Sequence, residues 1–394
     1  MGGGGAAPSL GNGNNGRKDF FNFYTSNAGT TWFGTIRAQT VMAPPQLWTW
    51  GDNTIYGQLG LGDLAKRSSP VQVGALTNWL SIAAGYHHTI ALKTDGTLWT
   101  WGRNNIGQLG LGDITNRLSP VQVGALTNWS SIDAKSYHII ALKTDGTLWA
   151  WGQNSAGQLG LGNITHYSSP KQVGALTNWL SIASGGQHTI ALKTDGTLWG
   201  WGSNANGRLG LGNITNYSSP KQVGALTNWL SIASGLNHTI AIKTDGTLWA
   251  WGQNSAGQLG LGNITDYSSP KQVGALTNWL SIAGGFYHTI ALKTDGTLWA
   301  WGKNAYGQLG LGNVTNYSSP KQVGALTNWS SIAVDVYHTI ALKTDGTLWG
   351  WGLNSSGELG LGDITNRSSP IQVGALTTWL NVAAGYGHTI ATRS

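Results

Sequence analysis

Seven histidines at regular intervals, His88, His138, His188, His238, His288, His338 and His388, are the first residues in this chain to suggest chemistry. Imidazoles ligate metals and move protons near neutral pH. A working site, however, needs unlike groups converging on one point. One residue type repeated seven times, each time before Thr-Ile-Ala or a close variant, reads instead as a hydrogen-bonded framework position. His87, next to His88, and the isolated His166 have no carboxylate pattern to support a catalytic role. The chain contains no cysteine, which excludes disulfides and thiolate metal sites. Gly-Gln-Leu-Gly-Leu-Gly is glycine-rich but lacks a strand-to-helix setting, so no phosphate cradle is expected. Asn163, Asn213 and Asn263 each open an Asn-Ile-Thr sequon that the repeat itself accounts for. The residues point to a protein that is not an enzyme and that uses neither metal nor cofactor.

The elements that carry these histidines are set by self-similarity. Trp-Gly-x-Asn starts at Trp50, Trp101, Trp151, Trp201, Trp251, Trp301 and Trp351, with a period of 50 after one extra residue in the first copy. Seven copies of each landmark imply seven units. Each unit reads as four short strands. Ser81–Ala84 is small and apolar, suited to an inner strand. His88–Lys93 and Thr97–Trp101 flank Thr94-Asp95-Gly96, and Asp-Gly between apolar β-formers signals a hairpin. Pro70 opens Val71-Gln72-Val73, as expected of an outer edge strand. The last copy stops at Ala391-Thr392-Arg393-Ser394, where a hairpin should follow, and the first begins at Leu47-Trp48-Thr49-Trp50, the strand that follows it. Joining the two completes the last unit and removes exposed sheet edges. The expected fold is an all-β, seven-bladed β-propeller with four-stranded blades over residues 46–394, preceded by an extension of residues 1–45.

Charge and composition narrow the function. Charged residues make up 9% of the 394-residue chain and the net charge is +7. Six lysines sit in Lys-Thr-Asp-Gly, each offset by its neighbouring aspartate. Lys171, Lys221, Lys271 and Lys321 are spread at the repeat period rather than clustered, which argues against nucleic-acid binding. No stretch has the roughly 18 apolar residues of a membrane span. The glycine-rich start has no apolar core for a classical secretory signal, so the compartment expected is a virion or the cytoplasm.

Trp-Gly-x-Asn-x-x-Gly-Gln-Leu-Gly-Leu-Gly, followed by Ser-Pro-x-Gln-Val, Ala-x-Gly-x-x-His-Thr-Ile-Ala-Leu and Thr-Asp-Gly-Thr, resembles the RCC1 repeat across residues 46–394. The resemblance implies a seven-bladed propeller. It implies little about activity, since relatives include a small-GTPase exchange factor, a UV-B photoreceptor and a bacterial β-lactamase-inhibiting propeller. The photoreceptor pattern wants Trp then Arg ahead of the repeated histidine. The chain has Tyr86-His87, Gly186-Gln187 and Leu236-Asn237 at such places. The exchange factor's protruding insertion has no room in units of about 50 residues.

The copies differ unevenly. Thr-Asp-Gly-Thr-Leu-Trp and Val-Gly-Ala-Leu-Thr-Asn-Trp barely change. The residues before the repeated histidine and after Trp-Gly change strongly. In a four-stranded antiparallel blade both variable segments leave on one side of the disc and both invariant ones on the other. The diversified loops carry Tyr86, His87, Arg103, Tyr137, Gln187, Asn237, Phe286, Tyr287, Lys303, Tyr306, Tyr337 and Tyr386, a mixture of aromatic anchors and adaptable polar groups that resembles a paratope. These are the expected ligand contacts, with a protein or a glycan as the partner.

Residues 17–45 hold Phe20, Phe21, Phe23 and Phe33, four of the five phenylalanines, with Tyr24 and Trp32. So much apolar surface suggests a segment that packs on its own propeller or docks into an assembly partner. A short anchor plus a binding head resembles a receptor-binding or decoration protein displayed on a phage virion or cell surface. The alternative is a soluble intracellular interaction scaffold or an RCC1-like regulator of a GTPase.

Overall fold

The computed structural model describes residues 43–394. The aromatic cluster of the extension, Phe20 to Phe33, lies outside the described residues. Residues 44–394 form one compact unit of seven four-stranded antiparallel sheets. The first blade consists of Trp79–Ala84, His88–Lys93, Leu98–Gly102 and Arg117–Gln122. Blades two to six follow from Trp129, Trp179, Trp229, Trp279 and Trp329. Their first strands contact one another in a ring around the axis. The only helical element among the described residues is the turn Ala205–Gly207, and no described helix is long and apolar enough to cross a membrane.

The seventh blade is assembled from both ends of the repeat region. Its order is Arg67–Gln72, Gln46–Gly51, His388–Arg393, Trp379–Gly385. Gln46 pairs with Arg393 and Gly51 with His388, so the seam is a full-length antiparallel ladder. Closing the ring this way leaves each outer strand as an edge at the rim and each inner strand as an edge at the axis.

Strand limits differ from the expectation at the rim. The outer strand of the seventh blade begins at Arg67, and Pro70 lies inside it rather than at its start. Its ladder is irregular between Thr49 and Gly51, and an edge strand with an interrupted ladder tolerates a residue without an N–H.

The core lies between blades. Ile240, Ile242, Leu248, Leu259 and Val273 of the fourth blade pack against Trp279, Ile282, Ala291 and Trp301 of the fifth. The Trp301 indole donates to Gln258 O at 2.9 Å and lies against Gly260, whose φ is +74° and where any Cβ would sit 2.8 Å from the indole nitrogen. Trp301 is fully buried, so the glycine of Gly-Gln-Leu-Gly is required by the tryptophan of the next blade. The framework histidines are buried as well, and His138, His188, His238 and His338 each bond to a threonine one blade further on.

Candidate functional site: the aromatic and cationic loop face

The invariant loops have a structural cause. Asp95 accepts from Thr97 N at 2.9 Å and Thr97 Oγ1 at 2.6 Å, and the hydroxyl's donation holds the carboxyl below its ordinary range. Trp99 donates back to Thr97 Oγ1 at 3.0 Å. Gly96 has φ +76° and faces Thr127 O, where a Cβ would sit 2.0 Å away, while its carbonyl accepts from Trp129 N. Turn and crossover thus lock each other, and neither is free to vary.

The diversified loops meet in space as topology requires. In the first blade Arg103 N donates to His87 O at 2.9 Å, and in the fifth Lys303 N donates to Tyr287 O at 2.8 Å. The two variable segments of one blade are therefore stitched side by side, and each also reaches the next blade.

One group forms around the seventh, first and second blades. The Arg103 guanidinium lies 4.8 Å from the Tyr56 ring and 4.9 Å from that of Tyr137. Its Nη1 donates to Tyr137 Oη at 3.2 Å and its Nε to Asn105 Oδ1 at 2.7 Å. Tyr86 stacks on Tyr386 at 4.2 Å and meets Tyr137 at 5.2 Å. His87 sits between Tyr56, Tyr86 and Tyr386, and burial pushes its imidazole down to about 4. It is a neutral aromatic at physiological pH.

A second group forms on the fifth and sixth blades. Lys303 Nζ is 5.2 Å from the Tyr287 ring and 5.6 Å from that of Tyr337, and Tyr306 packs edge-on against Tyr337 at 4.9 Å. Cations over tyrosine faces gain about 0.5–2 kcal/mol each. Arg103 and Lys303 take part in no salt bridge among the described residues, so both charges are held by rings and not neutralised by acids.

The remaining expected contacts fall differently. Gln187 is exposed, and Asn237 donates to Gln253 Oε1 at 2.9 Å, so both lie on the face but in neither group. Phe286 departs from the expectation of an exposed anchor. The residue is 7% exposed and its ring lies 6.1 Å from that of Tyr86, three blades away around the ring. A side chain from one loop reaching that far must cross the axis, so Tyr86, Tyr386 and Phe286 plug the centre of the disc. Phe286 is the floor of the face.

Other candidates resolve as structure. His166 Nδ1 accepts from Asn154 N at 2.9 Å. The sequon residue Asn163 is tied into its own turn, with Oδ1 accepting from Thr165 N and Nδ2 donating to Tyr167 Oη. Among the described residues no group of three or more His, Cys, Asp or Glu is placed to hold a metal.

Three residues escaped the sequence reading. Asp133, Lys135 and Asp335 line the axis beneath the plug. The available signal was departure from the repeat: Asp133 stands where other blades have Ala83 or Ala183, and Lys135 and Asp335 where they have Gly85 or Gly185.

Seven interlocked four-stranded blades with one tyrosine- and cation-bearing loop face define a closed β-propeller with a single decorated side. The "RCC1-like domain" model matches residues 168–391, and the "Regulator of chromosome condensation (RCC1) repeat" model matches 46–92 and 95–142. The chain belongs to the RCC1-repeat family. In solved structures it is similar to Prp20p from Saccharomyces cerevisiae, at 24% identity and TM-score 0.81 over 90% of this chain and 92% of that one. It is also similar to human WBSCR16, at 22% identity and TM-score 0.79 over 89% and 99%. Curated relatives include the X-linked retinitis pigmentosa GTPase regulator homolog of Caenorhabditis elegans, 32% identical over 23% of this chain and 7% of that protein. Another is the Protein RCC2 homolog of Danio rerio, 40% identical over 16% and 12%. The chain spans only a small part of the length of these curated relatives.

Proposed function

We propose that this protein is a non-enzymatic interaction propeller that binds another protein through its diversified face, as a scaffold or as an RCC1-like regulator of a GTPase. The observation that carries the reading is the pair of unneutralised cations, Arg103 and Lys303, each held between tyrosine rings. Preorganised aromatic and arginine side chains are the groups that dominate protein interfaces. The solved relative Prp20p is described by its binding to Gsp1p and histones, and a curated relative is named as a GTPase regulator homolog. Both names concern proteins that act on other proteins, which favours the scaffold or regulator reading over a glycan ligand or display on a virion.

The test places a photo-crosslinking amino acid at Tyr306 on the diversified face or at Leu326 on the invariant face. Both positions are exposed. In cells of the source organism, irradiation should give a discrete protein adduct from position 306 and none from 326. Adducts from 326 alone would reverse the assignment of the working face.

A further inference from the structure

Beneath the aromatic plug the inner strands enclose an axial channel of about 270 Å³. Ile82, Ile132, Ile182, Ile232, Ile282 and Val382 stand on its wall, interspersed with Ser184, Ser234 and Gly284. Three charges interrupt it. Lys135 reaches from the second blade to donate to Gly284 O of the fifth. Asp133 Oδ2 accepts from Ser184 N at 2.5 Å and Ser184 Oγ at 2.6 Å. Asp335, in the sixth blade, is only 2% exposed, and its Oδ2 has no hydrogen-bond partner. Ser234 Oγ, also on the channel wall and 5% exposed, is unpartnered too.

Burial raises the Asp133 carboxyl and lowers the Lys135 ammonium; fully ionised, the two carboxylates and one ammonium would carry a net charge of −1, and an uncompensated buried charge is costly. Either a proton or a second cation must neutralise it. Burial pushes the Asp335 carboxyl up to about 7, with Lys135 pulling the other way, so near neutral pH the two compete. Of the other groups that feel this cluster, the Tyr86 phenol is raised by burial, and burial pushes His238 and His288 down to about 3 and His188 well below its ordinary value. All four stay neutral. The plug shuts one end of the channel. Leu180, Leu230 and Leu280, the second residues of their inner strands, are at least half exposed.

We propose that the axial channel binds an organic cation, its ammonium head against Asp335 Oδ2 and Ser234 Oγ and its aliphatic stem among the isoleucines. The head supplies donors to two acceptors that otherwise have none, and the stem lies along the isoleucine side chains of the wall. Such a cation can arrive as a free alkylamine or as a lysine side chain of a partner. The site is separate from the diversified face, and either can exist without the other.

Calorimetric titration of the full chain with butylammonium chloride at pH 8 tests this. One site per chain is expected, with affinity at least ten-fold weaker in Asp335→Asn and weaker at pH 6, where the proton competes. Asp335→Asn removes a buried charge, so its melting temperature at pH 8 should not fall. Ser234→Ala, which deletes only a hydroxyl, should also weaken binding and serves if the first variant misfolds. Nα-acetyl-lysine methylamide distinguishes the sources: its binding points to a partner's side chain, its failure beside bound butylammonium to a free amine, and both leave the cation site standing. No butylammonium binding by folded protein at pH 8, or undiminished affinity in Asp335→Asn, overturns the proposal.

Discussion

His138 Nε2 lies 3.1 Å from Thr189 Oγ1 of the next blade, while that hydroxyl spends its one proton on Gln158 O at 2.8 Å. The imidazole must therefore donate, which sets it as the neutral Nε2–H tautomer with Nδ1 bare. The same relay joins His188 to Thr239, His238 to Thr289 and His338 to Thr389. At His88 it fails. The corresponding residue of the next blade is Ile139, and both ring nitrogens of His88 lack partners.

That difference predicts unequal costs for one substitution. His138→Ala should lose about 1 kcal/mol more than His88→Ala, the net worth of a typical buried hydrogen bond. Urea denaturation of the two variants measures it. Equal losses would mean that the inter-blade bond adds nothing net.

The framework histidines also set the acid limit. Burial pushes His138 and His388 down to about 4 and His238 and His338 down to about 3, against about 6.5 in an unfolded chain. As pH falls below 6.5 the unfolded chain binds protons that the fold refuses. Stability should therefore drop by up to about 1.4 kcal/mol per pH unit for each histidine. Denaturation between pH 6.5 and 5 should show a slope of several protons, and a slope below that of one histidine would contradict this account.

Ring closure predicts a global effect from a local deletion. Removing Leu47–Val73 strips two strands from the seventh blade and exposes the His388–Arg393 edge. Cooperative melting should be lost and self-association should appear in light scattering. A melting temperature unchanged from the full chain would contradict the seam's importance.

Phe286→Ala should act on stability rather than directly on binding. Its buried ring supports Tyr86 and Tyr287, and truncating a buried phenylalanine costs about 3–5 kcal/mol. Thermal denaturation checks the magnitude. A loss below 1 kcal/mol would show that the plug is not packed as described.

For a partner captured at Tyr306, Tyr337→Ala should weaken binding by about 2 kcal/mol, because this ring contacts both Lys303 and Tyr306. Thr127→Ala, in an invariant loop, should leave affinity unchanged. Surface plasmon resonance on both variants separates the faces.

The fold was legible because it is written seven times over. The Trp-Gly spacing, the Asp-Gly hairpins and the offset ends mark the blades and the seam. Pro70 was misplaced by three residues because an edge strand with an irregular ladder carries no alternation to mark its start. The gathering of Tyr86, Tyr137 and Tyr386 followed from topology alone. Burial of Phe286 did not, since crossing the axis depends on how far each loop leans inward. Asp133, Lys135 and Asp335 were visible as departures from the repeat, yet their meeting in one channel needs the closed ring.

The offset seam also bears on how such a gene can change. The interior copies are nearly identical, so misaligned recombination between them can insert or delete one whole repeat. Because the Gln46–Gly51 and His388–Arg393 pairing is supplied by the two outermost partial copies, such an event leaves the joint untouched. It alters only how many sectors share the circle. Blade number is thus the easiest property of this protein for inheritance to vary, and closure the hardest.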